Sequence, residues 1–107
     1  FADITEYKNK NYFKHNEKSW VAYVGALKRF LNYCANKGIH YSHSKYSSIS
    51  FQNFEHYVKT SSKIKTENTA KAQFFYIKDF MVDKTGRNGD FNRMKNLWIY
   101  RQIRLRN

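Results

Sequence analysis

The chain of 107 residues has the length of a single domain. Its 20 Lys and Arg residues outnumber its 8 Asp and Glu residues, and the formal net charge of +12 argues against a basic partner and favours a polyanion. Hydrophobic residues make up 41% of the chain, so it can bury a core, while the absence of Pro and the presence of only 4 Gly leave little turn chemistry for a β-sandwich or barrel. We therefore expect an all-α fold.

Cysteine usage and hydropathy exclude further classes of protein. The single cysteine, Cys34, excludes an internal disulfide framework and a zinc site of several thiolates, and it fits a reducing cytosol. No apolar run approaches the roughly 18 residues of a membrane span, so we expect no membrane partner and a cytoplasmic location. Because the sequence begins with Phe1 and stops on a basic run, we expect it to be a piece of a longer polypeptide.

The first half of the chain predicts one long helix. Residues 1–15 have weak periodicity and predict either an extended arm or a short helix. Asn16 can cap a helix that Gly38 ends, and residues 39–48 read as a connecting loop. The apolar positions of this helix step by four, three, four and three residues, which is the stripe of an amphipathic helix. They are Trp20, Val24, Leu27, Leu31 and Cys34.

The second half predicts two or three further helices. Ser50 can cap a short helix, with Ile49 and Phe54 placed as a hydrophobic staple, and residues 59–65 then break the pattern. Thr66 opens the next helix, which residues 84–86 end. The buried positions expected in these two helices are Phe51, Phe54 and Val58, followed by Ala70, Phe74, Ile77 and Met81, with Phe75 and Phe80 widening the apolar arc.

A last helix is predicted from Asp90, which can cap it. Its apolar positions are Phe91, Met94, Leu97 and Trp98, and a basic tail follows. Residues 90–107 are therefore either one more helix of the bundle or a tether to another domain. The whole predicts a single domain over residues 1–107, a compact bundle of four to five helices.

Positive charge is concentrated near predicted helix ends. The largest cluster lies at the loop that leads into the Thr66 helix, whose first turn has unpaired N–H groups that favour an anion. Thr66, Asn68 and Thr69 add polar side chains that can bond phosphate oxygens or base edges. The clusters are Lys59, Lys63, Lys65, Lys71 and Lys78; then Lys95, Arg101, Arg104 and Arg106; and Lys8, Lys10, Lys14 and Lys18.

The helical pattern resembles the core-binding domain of tyrosine recombinases, the SAM-like N-terminal domain of phage integrases. The resemblance covers about residues 16–86 and rests on helical patterns with few fixed polar residues. The matching segments are residues 19–23 (SWVAY), 27–31 (LKRFL), 37–39 (KGI), 49–58, 65–69 (KTENT) and 74–80 (FFYIKDF). The stretch from Asp90 to Asn107 departs from the family because it is longer and more basic than the usual brief linker.

The resemblance implies a domain that forms half of a clamp around double-stranded DNA at the recombination site of a phage or other mobile element. Strand cleavage is implied to belong to a separate C-terminal catalytic domain of the same polypeptide, so this fragment binds DNA and is not itself an enzyme. Other recombinase protomers on the DNA, in a bacterial cell and at its nucleoid, are the further implied partners. The expected DNA contacts are Lys63, Lys65, Thr66, Asn68, Thr69, Lys71, Lys18, Ser19, Lys28, Arg101 and Arg104.

The sequence gives less support to a catalytic tyrosine or to a metal site. The tyrosines Tyr23, Tyr33, Tyr57 and Tyr76 fall on or beside apolar stripes, so we interpret them as core or rim residues rather than as a nucleophile. His40 and His43 with Cys34 lack the ligand number and spacing of a zinc site, and we expect no metal and no cofactor. Trp20 and Trp98 have the spacing of core residues.

Two alternative functions from other classes stay open. The same charge suits an RNA-associated or ribosome-associated basic helical protein. The third hypothesis is a protein-interaction module, in which the aromatic excess forms the binding face and the lysines only keep the chain soluble.

Overall fold

The computed structural model describes residues 2–39, 46–86 and 91, which contain four α-helices and two 3₁₀ turns. All regular elements in these residues are helical, so the predicted all-α bundle is confirmed. The helices are α1 (Ala2–Lys10), α2 (Glu17–Asn36), α3 (Phe51–Thr60) and α4 (Glu67–Thr85), and the 3₁₀ turns are Tyr12–Lys14 and Tyr46–Ser48.

The N-terminal segment, predicted as an arm or a short helix, is a helix. Ile4 and Tyr7 are its buried residues, one turn apart. The Tyr7 ring packs edge-on against Trp20 of α2 and Phe80 of α4, with ring centroids 6.1 and 5.4 Å apart. Burying this one face therefore docks α1 onto the rest of the bundle.

Helix α2 begins and ends where its capping residues predict. The Asn16 side chain accepts a hydrogen bond from the Ser19 N–H at 2.8 Å, which satisfies one of the unpaired donors of the first turn. At the other end Gly38 has a φ of +77°, and the Ile39 N–H donates to the Cys34 carbonyl at 2.8 Å. The predicted apolar stripe is buried apart from Val24, which is half-buried.

Helix α3 starts with a capping box. The Ser50 hydroxyl accepts from the Asn53 N–H at 3.2 Å, and the Asn53 side chain accepts from the Ser50 N–H at 2.7 Å. Ile49 and Phe54, the predicted staple pair, are both buried in the core. Just before the box, the buried Tyr46 donates its phenol proton to Asp3 at 2.8 Å, so this end of the predicted loop is anchored to α1.

Helix α4 begins after Thr66 and ends at Thr85, where Gly86 has a φ of +80°. Its predicted stripe and Phe80 are buried, but the expectation for Phe75 is wrong because this ring is 46% exposed. Successive residues of a helix point 100° apart, and Phe74 occupies the inward direction. The apolar character of Phe75 therefore does not bring it into the core.

An aromatic cluster joins α2, α3 and α4. Phe54 of α3 lies between Phe30 of α2 and Phe74 of α4, with ring centroids 6.0 and 5.6 Å away. Phe91 is buried beside Phe30 and Phe54, as predicted for the last helix. The other apolar positions predicted for that helix, Met94, Leu97 and Trp98, lie outside the described residues.

None of the helices within the described residues combines the length and the apolar character that a bilayer crossing needs.

We expect the free energy of unfolding to fall as the pH rises above about 9, the ordinary range in which a free thiol ionises. Burial raises the pKa of the Cys34 thiol to about 12 and also raises the pKa of the Tyr23 phenol. The native chain then retains protons that the unfolded chain releases, so stability is complete below the unfolded pKa values and declines above them. The decline is at most about 1.4 kcal/mol per pH unit for each such group.

Urea unfolding at about pH 8, 9.5 and 11 tests this, with Cys34→Ala as the control that removes the thiol contribution. The variant should lose less stability than the parent between the first two pH values. A free energy of unfolding that stays level up to the highest pH would contradict the expectation.

Candidate nucleic-acid interface

The loop between α3 and α4 presents its lysines outward because a residue between them points inward. Ile64 is buried, with 6% of its surface exposed, and Lys63 and Lys65 on either side of it are exposed. The loop starts where the Ser61 N–H donates to the Tyr57 carbonyl at 2.9 Å and the Lys63 N–H donates to the Ser61 hydroxyl at 3.3 Å. A buried apolar side chain and local hydrogen bonds thus hold two cations toward solvent.

The start of α4 continues this basic surface. Thr66 caps the helix: its hydroxyl accepts from the Thr69 N–H at 3.1 Å and donates to the Thr69 hydroxyl at 2.9 Å. Asn68 and Lys71 are exposed. Because Glu67 places a carboxylate in the first turn, the helix N-terminus already has an anion near it, and the neighbouring lysines are the stronger part of the site.

We call Lys63, Lys65 and Lys71 the junction lysines. No described carboxylate lies within ion-pair distance of any of the three. The same holds, among residues 2–39, 46–86 and 91, for the other two expected lysine contacts, Lys18 and Lys28 of α2, which are also exposed. The expected cations of the described chain are therefore free to bind an external anion.

The carboxylates, by contrast, are bonded near α1 and the C-terminal half of α4. Asp79 accepts from the Tyr23 phenol at 2.7 Å and pairs with Lys78 at 2.7 Å. Asp83 pairs with Lys10 at 3.2 Å. Since a helix rises 1.5 Å per residue, Asp83 lies about 25 Å along α4 from the helix start, well beyond the screening length of about 8 Å at physiological salt. The bonded carboxylates of α4 therefore lie toward its far end, whereas Glu67 is an exposed carboxylate beside the junction lysines.

A polar cleft of about 320 Å³ lies at this second end of the bundle, between α4 and the turn that follows α1. It is lined in part by Lys14 and Lys78 and by Asp79 and Asp83, so positive and negative side chains balance. A polyanion would meet repulsion there as well as attraction, and the cleft does not extend the basic surface.

Helix α2 contributes a cation that was not among the expected contacts. Arg29 is exposed, and its Nη1 lies 3.3 Å from the point where a Cβ on Gly25 would stand. Lys18, Ala22, Gly25 and Arg29 follow one another by four, three and four residues and so share one face of the helix. Lys28 lies about 80° around the helix from Lys18, so Arg29 is the better neighbour of Lys18. The spacing from Lys18 to Arg29 is the sequence signal that could have identified Arg29 as a contact.

No family model, curated protein or solved structure matches the chain. Its charges and geometry are therefore the basis for a functional proposal.

The remaining expected contacts divide into two groups. Ser19 is half-buried in the first turn of α2, where its N–H is taken up by the Asn16 cap. Arg101 and Arg104 lie outside the described residues.

The zinc site that the sequence makes improbable would need His40 and His43, and both lie outside the described residues. Cys34, the third residue of that site, is fully buried as the apolar stripe predicts.

Proposed function

We propose that this chain binds double-stranded DNA and acts as the core-binding domain of a tyrosine recombinase. One observation carries the proposal. The junction lysines are exposed and have no described ion-pair partner at the start of α4, while Asp79 and Asp83 of the same helix are bonded about 18 Å and about 25 Å along it. This separation favours a partner with closely spaced negative charge, and duplex DNA carries one such charge per about 1.7 Å of its axis.

Binding would be driven by release of the counterions that surround the DNA phosphates. The five exposed lysines among the expected contacts give a slope of about −4.5 for the logarithm of the binding constant against the logarithm of salt concentration, at about −0.9 per neutralised phosphate. Thr66 acts mainly as the cap of α4.

On the resemblance to tyrosine recombinases, this proposal assigns DNA binding and strand cleavage to different domains. The chain would hold and position the DNA, while a C-terminal catalytic domain of the same polypeptide cleaves the strand. Other recombinase protomers would sit on the same site, on the bacterial nucleoid. An Arg, His and Tyr catalytic set in the polypeptide that continues this chain is the sequence observation the proposal expects.

Competition between duplex DNA and duplex RNA tests the proposal directly. Fluorescence anisotropy of a labelled DNA duplex of about 20 base pairs, two helical turns, should show binding that weakens steeply as salt rises. Unlabelled DNA should displace the probe better than RNA of the same length, because the deep and narrow major groove of RNA excludes a helix. Stronger displacement by the RNA would favour the RNA-associated alternative and overturn the proposal.

A protein-interaction module is the second candidate, favoured by a different observation. Phe13 in the turn after α1 is 83% exposed and Val21 on α2 is 72% exposed, although both are large and apolar. Where such side chains form a contiguous apolar patch, the patch marks a protein contact. Absence of binding to both nucleic acids, measured at low salt where charge attraction is strongest, would support this candidate instead.

A further inference from the structure

Phe75 lies on the outward face of α4, with 46% of its surface exposed, and Lys71 and Asp79 lie one turn before and one turn after it. The core needs no contribution from it, since Phe74 already fills the inward position with none of its surface exposed. An apolar ring held toward solvent gains free energy only when a partner covers it.

The ring is held in place by its neighbours. The Phe74 and Phe75 rings meet edge to face with centroids 5.8 Å apart. The Lys78 Nζ lies 5.9 Å from the Phe75 centroid, within the range of a cation–π contact, and also pairs with Asp79 at 2.7 Å. Phe75 is therefore an ordered projection from the helix, and ordering it on binding would cost little entropy.

Its surroundings indicate what kind of partner fits. Asn68, Lys71 and Phe75 follow one another by three and four residues and lie within about 60° around the helix, so they share one face; we call them the outer stripe of α4. The stripe is about 11 Å long and includes Lys71 of the junction lysines. A partner that covers it must present an apolar group beside an anionic group, because Lys71 lies one turn before the ring, whereas Lys78 after it is paired with Asp79.

The major groove of duplex DNA at A·T pairs has this arrangement. Phosphates form its walls, the C5 methyl of thymine is the apolar group on its floor, and a groove about 12 Å wide admits an α-helix. Asn68, two turns from Phe75, is of the residue type that bonds adenine in that groove. We propose that Phe75 contacts a thymine methyl group and gives the chain a preference for A·T-containing sites. This inference rests on the proposed function.

The test compares two duplexes that differ only in that methyl group. One is an alternating A·T duplex of about 20 base pairs, and the other carries deoxyuridine at every thymine position. The two have the same phosphates and the same Watson–Crick pairs. The parent chain should bind the thymine duplex at least about fourfold more tightly, the worth of one buried methyl group.

Phe75→Ala should bring this ratio to about one and leave the salt slope unchanged, since it removes an apolar contact and no phosphate contact. Phe75→Leu, which retains apolar bulk, should keep part of the preference and guards against a loss caused by misfolding. Phe13→Ala is the matched control, because this Phe is more exposed and lies outside the outer stripe of α4; it should keep both the ratio and the slope.

Two results would overturn the inference in distinguishable ways. Salt-dependent binding of the parent chain with equal affinity for both duplexes, or an unchanged ratio in Phe75→Ala, would refute the methyl contact and leave the proposed function standing. Failure of the parent chain to bind either duplex would refute the proposed function and this inference with it.

Discussion

Replacing the three junction lysines with glutamine is expected to weaken binding to duplex DNA by about a hundredfold at about 0.15 M salt. Lys63, Lys65 and Lys71 are exposed and have no described carboxylate partner, so each is free to neutralise one phosphate. The triple variant should lower the salt slope by about 2.7, and Lys65→Ala or Lys71→Ala alone by roughly one. Because phosphates carry no sequence information, the loss should be similar for duplexes of any sequence.

A second triple variant, with glutamine at Lys8, Lys10 and Lys37, separates local contacts from overall charge. These lysines lie elsewhere and already have described partners: the Tyr12 ring, the Asp83 carboxylate and the Tyr33 ring. The net charge falls by the same amount, yet screening limits the effect of distant charges, so we expect a loss well under tenfold. Equal losses in the two variants, measured by anisotropy across a salt titration, would show that the junction lysines form no specific contact surface.

The helix boundaries were predictable because they depend on neighbours within a few residues. Asn16, Ser50 and Thr66 each accept a hydrogen bond from a backbone N–H three residues on, a bond that short polar side chains make whatever the rest of the fold does. Gly38 and Gly86 adopt positive φ values that L side chains avoid. Such local chemistry can be read from a single sequence.

The pairing of charges was not predictable in the same way. Lys10 and Asp83 are 73 positions apart, and Tyr23 and Asp79 are 56 positions apart, so only the packing of α1, α2 and α4 brings them together. These long-range bonds decide which carboxylates are occupied and hence which lysines are left for a ligand. Charge clusters along the chain locate cations but give no information about their partners.

One core prediction was wrong because residue type was weighed above direction. Phe75 was counted with the core because it is aromatic, although its position is 100° from Phe74 and lies away from the stripe that Ala70 and Ile77 continue. Arg29 was not among the expected contacts, although its spacing from Lys18 places the two on one face of α2, and the expected contact at Lys28 stays a prediction. The angular positions of these residues around their helices can be read from the sequence.

Truncating Phe54 to alanine is expected to lower the free energy of unfolding by about 3–5 kcal/mol, the usual cost of removing a fully buried aromatic ring. None of its surface is exposed. Its ring centroid lies 5.6 to 6.4 Å from five others, so the cavity is walled by rigid rings that cannot easily collapse into it. These are the rings of Phe30, Phe51, Tyr57, Phe74 and Phe91. Against a total of about 5–15 kcal/mol, this loss is a large fraction of the stability.

Urea unfolding followed by circular dichroism measures this loss of stability. Phe13→Ala is the control, because the same truncation at a ring that is 83% exposed should lower the free energy of unfolding by less than about 0.5 kcal/mol. A cost below about 2 kcal/mol at Phe54 would mean that the neighbouring rings close the cavity or that the ring is not enclosed. The result also bears on the interface. Phe54 packs on Phe74, which is in the helix that presents Lys71 and the outer stripe of α4. If the Phe54–Phe74 contact positions α4 on the DNA, the folded fraction of Phe54→Ala should bind DNA more weakly than the parent chain. If the charges of the lysines are sufficient, the affinity of that fraction should be unchanged.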